Sequence, residues 1–553
     1  MVKSNLTSHL SLLTLAVLLT SLIPLYAQEA QYMVFFTDKA YTQYSVDQPE
    51  AFLSERAIAR RAKFNIPVEE SDLPVNESYV EQLVTLGAEV FYRTRWMNGV
   101  LVQLSIEELE EVRKLSFVGK TEMVKPRARG ARKKSGSSIG SSRKLKDPLK
   151  ENNQLLNVLQ NDMLGIDEMH ADGYNGKGQL VAVFDGGFRG VDTVSYFSHI
   201  FEEDRMLTGY DFVGNDTNVY RYGQHGTEVL SCIGAYREGI LEAGAYSADF
   251  MLCVTEDVSS EYRIEEYNWL FAAEFADSTG VDIISTSLGY TTFNEADMDY
   301  AYEDLDGHSA AITRTLNMAS EKGILCVVSA GNEGSGSWRY VSPPADAVNV
   351  LAVGAVSNSY DKVSFSSYGP TVDGRIKPDV SALGLQTVVV NAAGNVMRSN
   401  GTSFAAPLIA GFAAGIWEAF PEASHLEIID RIRQSGDKAM TPDNETGFGI
   451  PNYERIRRNV LLPIEKSLRS HDFRVFPNPL ENSDLFIKPV NAILEAPLEL
   501  HMYDPAGTLV LEKKYVQFNR NSIALDTEAL APGIYILHIA TASVSDTLKI
   551  VKF

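Results

Sequence analysis

Gln179 to Phe188 reads QLVAVFDGGF. Leu180 to Phe184 is a near-continuous apolar run, which predicts a strand buried on both faces, as in a parallel sheet. Asp185 follows at its C-terminal end, where open α/β sheets place their sites. Further along, Gln224 to Ala235 reads QHGTEVLSCIGA. His225 precedes a helix there, and Gly226, Ser231, Gly234 and Ala235 permit close packing. Asn400 to Pro407 reads NGTSFAAP and opens a nearly uncharged stretch that runs to Trp417. Apolar residues fall on every side of it, the mark of a buried helix. Ser403, at its mouth, lies in a positive dipole field beside unpaired backbone N–H groups. That setting suits a nucleophile whose reaction builds an oxyanion. Each residue alone has a plainer reading: a turn aspartate, a structural histidine, an N-cap serine.

The chain order Asp185, His225, Ser403 is one of those known for an acid–base–nucleophile triad. With it the chain resembles the subtilisin-like serine peptidases, the subtilases, from about Asp162 to Asn459. The matching motifs are V-A-V-x before Asp185, H-G-T from His225 and G-T-S-x-A-x-P around Ser403. Further matches are Pro344-Ala345, Phe365-Ser366 and Lys377-Pro378-Asp379. The resemblance implies an α/β fold with a mostly parallel central sheet flanked by helices. It also implies that Asn332, in Ser329 to Gly334, donates its side-chain amide to the oxyanion beside the Ser403 N–H. Ser287, Leu288 and Gly289 look like the family's substrate segment, an edge strand able to pair with an extended peptide. Ala330 and Gly331 are expected to line the same cleft. Three positions depart from the family's pattern: Gly186 for Ser or Thr, Glu228 for a second His, and Leu383 for Pro. No metal is required by this chemistry, and no Cys/His cluster suggests zinc. The family often binds structural calcium, but no loop here has a recognisable ligand spacing.

The chain has 553 residues, 45% of them hydrophobic and 10% aromatic, so more than one packed domain is expected. Its net charge of −23 argues against nucleic-acid binding. The stretch from Gln28 to Lys150 is near neutral, with 20 Lys/Arg against 17 Asp/Glu, so the acidity lies after it. Cys232, Cys253 and Cys326 each sit in an apolar stretch and are expected as buried thiols.

Residues 1–27 carry Lys3, an apolar stretch and Ala27, the pattern of a secretory signal peptide, with an uncleaved anchor as the other reading. Residues 28–125 alternate short elements as β-α-α-β-β-α-β, including a helix from Pro49 to Phe64 with exposed arginines. This small α+β domain is similar in placement to subtilase propeptides, which act as folding aids and inhibitors. Residues 126–152 are basic and Gly/Ser-rich, read as an exposed processing linker, with a polyanion-binding tail or a merely solvated tether as the other readings. Residues 153–460 form the catalytic domain and 461–472 a second linker. Residues 473–553 show six or seven short alternating runs, predicting a β-sandwich. Phe476-Pro477-Asn478-Pro479, the Asp504 to Gly507 turn, Leu530 to Tyr535 and the tail Lys549 to Phe553 resemble the sorting domain of type IX secretion cargo; an accessory substrate-binding sandwich is the other reading.

The expectation is an exported serine endopeptidase made as a zymogen, acting on proteins or peptides. Its expected partners are its own propeptide and the type IX secretion machinery, with no nucleic acid. It would leave through the inner and then the outer membrane. Alternatives are a secreted esterase or amidase, and a surface binding protein with an idle triad.

Overall fold

The computed structural model describes residues 29–126, 143–144, 155–461 and 473–552, except 481–483, 490–496, 505–507, 517–522 and 542–544. The signal-peptide reading, most of both linkers, residues 505–507 of the Asp504 to Gly507 turn and the terminal Phe553 lie outside these residues. No described helix is long and apolar enough to cross a membrane. The chain divides into two compact units, residues 1–457 and 458–553.

The first unit opens with β1 (Ala30–Phe36), α1 (Glu55–Lys63), α2 (Glu77–Thr85), β2 (Glu89–Thr94), β3 (Gly99–Leu104), α3 (Ile106–Val112) and β4 (Val118–Lys125). The strands form an antiparallel sheet in the order β2-β3-β1-β4. Period-2 alternation sorts its two faces. Tyr32, Val34, Val100 and Val102 pack against the domain's own helices. Met33, Leu101 and Val124 join the core of the next domain instead.

The helix expected from Pro49 to Phe64 is broken. A single 3-10 turn at Pro49–Ala51 precedes α1. The Ser54 hydroxyl accepts from the Ala57 N–H at 3.2 Å and so starts α1 afresh. Two of its three arginines are not exposed as expected: Arg60 and Arg61 are buried, while Arg56 is partly exposed.

A seven-stranded, wholly parallel sheet follows. Its strands are β5 (Leu180–Asp185), β6 (Met206–Asp211), β7 (Asp249–Val254), β8 (Ile283–Thr286), β9 (Leu325–Ser329), β10 (Leu351–Val356) and β11 (Val380–Leu383). Their spatial order is β11-β10-β9-β8-β5-β7-β6. Every residue of β5, β8, β9 and β10 is buried, which is why these strands are largely apolar, polar residues falling only at their C-terminal ends. Helices α4 (His225–Gly234) and α6 (Thr402–Ala419) pack on one face, and α5 (Ile264–Thr279) and Ala311–Glu321 on the other. All three cysteines are free and buried.

The second unit has two antiparallel sheets, of three and four strands. Leu485, Ile487, Ile523 and Leu525 from one sheet meet Leu498, Leu500, Met502, Leu537 and Ile539 from the other in a shared core. Alternate residues face outward, as two packed sheets require.

Candidate active site

Asp185 is the last residue of β5 and 1% exposed. Its two carboxylate oxygens lie 3.0 and 2.9 Å from His225 Nδ1. The Gly186 N–H also donates to Oδ1 at 2.7 Å. A Cβ on Gly186 would stand 2.8 Å from Val258 Cγ1, a physical reason for glycine where relatives carry Ser or Thr.

His225 begins α4, rather than preceding it. Gly226 lets the helix mouth press against the β5 loop, since a Cβ there would lie 2.5 Å from the Gly187 carbonyl. The Thr227 hydroxyl donates to the Arg189 carbonyl at 2.9 Å. These two residues hold the imidazole over Asp185 while its outer edge stays open, the side chain being 43% exposed. Burial pulls the imidazole pKa down, but the charge and hydrogen bond of Asp185 outweigh it, with Glu228 and Glu256 adding. The net direction is above the ordinary value. Glu228 sits one turn further along α4, buried, accepting from Gln224 Nε2 at 2.9 Å and Ser399 Oγ at 3.3 Å. Burial raises its own carboxyl pKa, opposed first by His225.

Ser403 is the second residue of α6, so it is not the N-cap; Gly401, at φ 151°, holds that place. The His225 and Phe404 rings lie 5.7 Å apart between centroids, which sets the imidazole beside the helix mouth. Among the described residues no hydrogen bond joins His225 to Ser403; such contacts often tighten only around a bound substrate. Pro407 lies four residues on, inside the helix. It has no N–H for the Ser403 carbonyl. The Ser287 hydroxyl donates there instead, at 2.8 Å.

Asn332 follows β9. Its side-chain oxygen accepts from the Thr402 N–H at 2.9 Å and the Thr402 hydroxyl at 3.0 Å. Both bonds fix the amide's orientation, and among the described residues its NH₂ has no hydrogen-bond partner. Gly331, just before Asn332, turns the chain at φ 106°, a conformation that favours glycine. A Cβ there would lie 3.0 Å from the Ser342 and Ser367 hydroxyls. Ala330 is fully buried, its N–H donating to the Val353 carbonyl at 2.9 Å.

Ser287, Leu288 and Gly289 are not an edge strand. They continue past the C-terminal end of β8, fourth in the seven-strand order. The Leu288 carbonyl accepts from the Ser329 hydroxyl at 3.4 Å. The ends of β5, β8 and β9 thus bring Asp185, Ser287 and Ser329 to one rim of the sheet. Reading the sequence alone missed three features: the link from Ser287 to Ser403, the anchoring of Asn332 by Thr402, and the acidic surroundings of His225. Pro407 was the available signal for the first, because a proline inside a helix frees the carbonyl four residues back.

Glu256, Glu261 and Glu265 place carboxylate oxygens within 4.8 Å of one another. The Tyr290 hydroxyl donates to Glu256. This acidic group is the only His/Cys/Asp/Glu cluster of that kind among the described residues.

Residues 176–449 match the subtilase family, peptidase S8. Residues 31–138 match the peptidase S8 propeptide domain of Bacteroidota, and 474–552 the secretion system C-terminal sorting domain. Subtilisin of Bacillus pumilus is 32% identical over 272 residues, 48% of this chain and 86% of that protein. Subtilisin NAT of Bacillus subtilis subsp. natto is 32% identical over 272 residues, covering 62% of its length and 48% of this chain. The crystal structure of MycP1 with its N-terminal propeptide removed aligns over 96% of its chain and 54% of this one, at 24% identity and a TM-score of 0.42.

Proposed function

The chain belongs to the subtilase family of serine peptidases, and within it we propose that Asp185, His225 and Ser403 are the catalytic triad. The protein is an exported serine endopeptidase made as a zymogen, with a propeptide and a C-terminal domain that marks it for the cell surface or release. The observation that carries the residue assignment is the Asp185–His225 contact at 2.9 Å, with the imidazole beside the mouth of α6.

In this reading His225 takes the Ser403 hydroxyl proton as Oγ attacks the peptide carbonyl carbon. The proton then passes to the leaving amine, and water releases the acyl group by the same route in reverse. Asp185 holds Nδ1 as the donor tautomer and stabilises the imidazolium. The Asn332 NH₂ and the Ser403 N–H receive the negative oxygen. Asn332 is suited to this because Thr402 holds its oxygen, leaving the NH₂ to turn outward. The backbone of Leu288 and Gly289, with Ala330 and Gly331, lines the peptide's path. Every group in this scheme is a side chain or a backbone N–H. A calcium ion, where bound, would serve stability.

The substrates are proteins or peptides, and the further partners are the chain's own propeptide and the type IX machinery. The test is labelling with a fluorophosphonate. Wild-type protein should be labelled at Ser403 and hydrolyse peptides, while folded Ser403→Ala should do neither. Substantial peptide hydrolysis by the folded variant would overturn the assignment.

A further inference from the structure

The arginines of α1 read from sequence as a solvent face, yet two of them, Arg60 and Arg61, are among the most deeply buried charges of the described residues. Arg60 reaches Asp277 at 2.7 Å, Arg61 reaches it at 2.7 Å, and Arg95, from the turn after β2, at 2.8 Å. Asp277 itself is fully buried, and the three arginine side chains are 3%, 1% and 9% exposed. Three guanidiniums of the pro-domain thus converge on one carboxylate of the catalytic domain. Glu274, one turn earlier on α5, accepts from the Arg95 and Trp96 N–H groups at 2.9 and 3.1 Å and from the Thr94 hydroxyl.

The backbone joins in. Helix α5 ends at Thr279, and its last carbonyls lack helical partners and carry the negative end of the dipole. The Ser54 N–H donates to the Ser278 carbonyl at 2.9 Å and its hydroxyl to the Thr279 carbonyl at 3.0 Å. Arg56 Nε donates to the Gly280 carbonyl at 3.0 Å, and Arg60 to that of Val281. Arg56 also pairs with Asp282. Gly280, the αL cap of α5, has α1 resting on it: a Cβ there would meet Arg56 Cγ at 2.7 Å and the Ala57 nitrogen at 2.8 Å. All of this lies at the C-terminal end of α5 and the start of β8, while Asp185 and Ser287 occupy the opposite rim.

We propose that the C-terminal end of α5, with Glu274, Asp277 and its open carbonyls, is a dedicated socket for the pro-domain arginines, and that it retains the cleaved pro-domain on the enzyme. The proposal rests on the zymogen reading above. A second tether lies at the end of β4, where Lys125 meets Asp257 at 3.2 Å; it is partly exposed and adjoins the cleavable basic segment. Cutting that segment frees the chain beside Lys125 but leaves the socket untouched. Once the pro-domain leaves, Glu274, Asp277 and Asp282 lose Arg56, Arg60, Arg61 and Arg95, the cations paired with them among the described residues. The bare socket then favours a basic, guanidinium-bearing partner, and the pro-domain supplies one. A cleft of about 370 Å³, lined by Tyr44, Glu77, Arg93, Arg95 and Glu274, opens onto the Arg95 side, so water and salt ions reach the pair from there.

The test uses full-length Ser403→Ala, which cannot cut itself. Limited trypsin cleaves the basic segment between 127 and 150, with the products identified by mass. The large fragment is captured on resin, and the retained pro-fragment is followed over time. Asp277→Asn in this background should release the pro-fragment about 100-fold faster, because it leaves three buried guanidiniums without their shared anion. Arg93→Gln should leave the rate unchanged, since Arg93 pairs with Glu77 on the pro-domain's own surface. Release from Asp277→Asn within about threefold of the parent, or equally fast release from Arg93→Gln, would overturn the proposal. Should Asp277→Asn fail to fold, Arg95→Gln at the socket's wet edge decides: faster release by about tenfold supports the socket, and an unchanged rate refutes it. Because the chain tested lacks the Ser403 hydroxyl, failure here leaves the triad assignment standing. Failed fluorophosphonate labelling would likewise leave the socket standing.

Discussion

The Ser287 hydroxyl donates to the Ser403 carbonyl at 2.8 Å, taking the place of the N–H that Pro407 lacks. Ser287 is therefore occupied in holding the first turn of α6, and its hydroxyl is unavailable to a substrate. Ser287→Ala should orphan a buried acceptor and cost about 1–3 kcal/mol of stability. In a Pro407→Ala background the restored N–H can fill the gap, so the same change should cost much less. Denaturant unfolding of the four proteins in this double-mutant cycle checks it. Equal costs in both backgrounds would refute the link.

Asn332→Ala should lower kcat by roughly 10²–10³ with a smaller change in KM, a magnitude known from the corresponding donor of subtilisin itself. Thr402→Val, which removes the hydroxyl bond to the amide oxygen but keeps the backbone N–H bond, should move kcat in the same direction by less. Steady-state kinetics on one peptide measure both, and an unchanged kcat in Asn332→Ala would remove Asn332 from the oxyanion site.

Activity needs the neutral imidazole, so it should fall as pH drops through the His225 pKa. The charges facing the ring are Asp185, Glu228 and Glu256, and their sum sets that pKa above 6.5. The acid limb of kcat/KM should therefore lie above the position of an unperturbed histidine. Glu228→Gln removes one of these charges and keeps the side chain's shape, so the limb should move to lower pH. A limb that stays put or rises in this variant would contradict the electrostatic account. A flat profile between about pH 5 and 9 would contradict a histidine base altogether.

Much of this fold was legible because burial leaves a plain trace in sequence. Leu180 to Phe184 is apolar without interruption, since both sides of β5 face helices, and the pro-domain elements other than the broken Pro49 to Phe64 helix appeared where their periods placed them. The three triad candidates were legible from their motifs. What stayed hidden depends on partners distant in the chain. Arg60 and Arg61 read as solvent-facing, because nothing in the local pattern announces Asp277, 217 and 216 residues away, or the pairing of Arg61 with Asp72 across a loop. Ser287 to Gly289 read as an edge strand, because position within a sheet is a property of topology rather than of local pattern. The acidic setting of His225 arises from Glu228 on its own helix and Glu256 from a loop after β7, and only the first could have been counted from sequence.

Chelation should leave turnover of the intact enzyme unchanged, since each proposed catalytic group is a side chain or a backbone N–H. Turnover measured directly after adding EDTA, alongside circular dichroism, separates chemistry from unfolding. Immediate loss of activity with the fold intact would point to a metal in the reaction.

Removing residues 473–553 should abolish export to the surface without touching catalysis. The β-sheet unit has its own core, from Phe473 and Leu485 through Leu537 to Ile550, and none of the triad candidates lies within it. A chain ending at 472 should therefore hydrolyse peptides at the full-length rate once matured with its pro-domain. In the native host the same truncation should stall in the periplasm, because the segment matching the sorting domain is gone. Fractionation with immunodetection, together with peptide hydrolysis by the purified truncated protein, reads both halves. Normal arrival of the truncated chain at the surface or in the medium would show that this unit is not the export signal. Loss of hydrolysis in a folded, matured truncation would show that it takes part in the active enzyme after all.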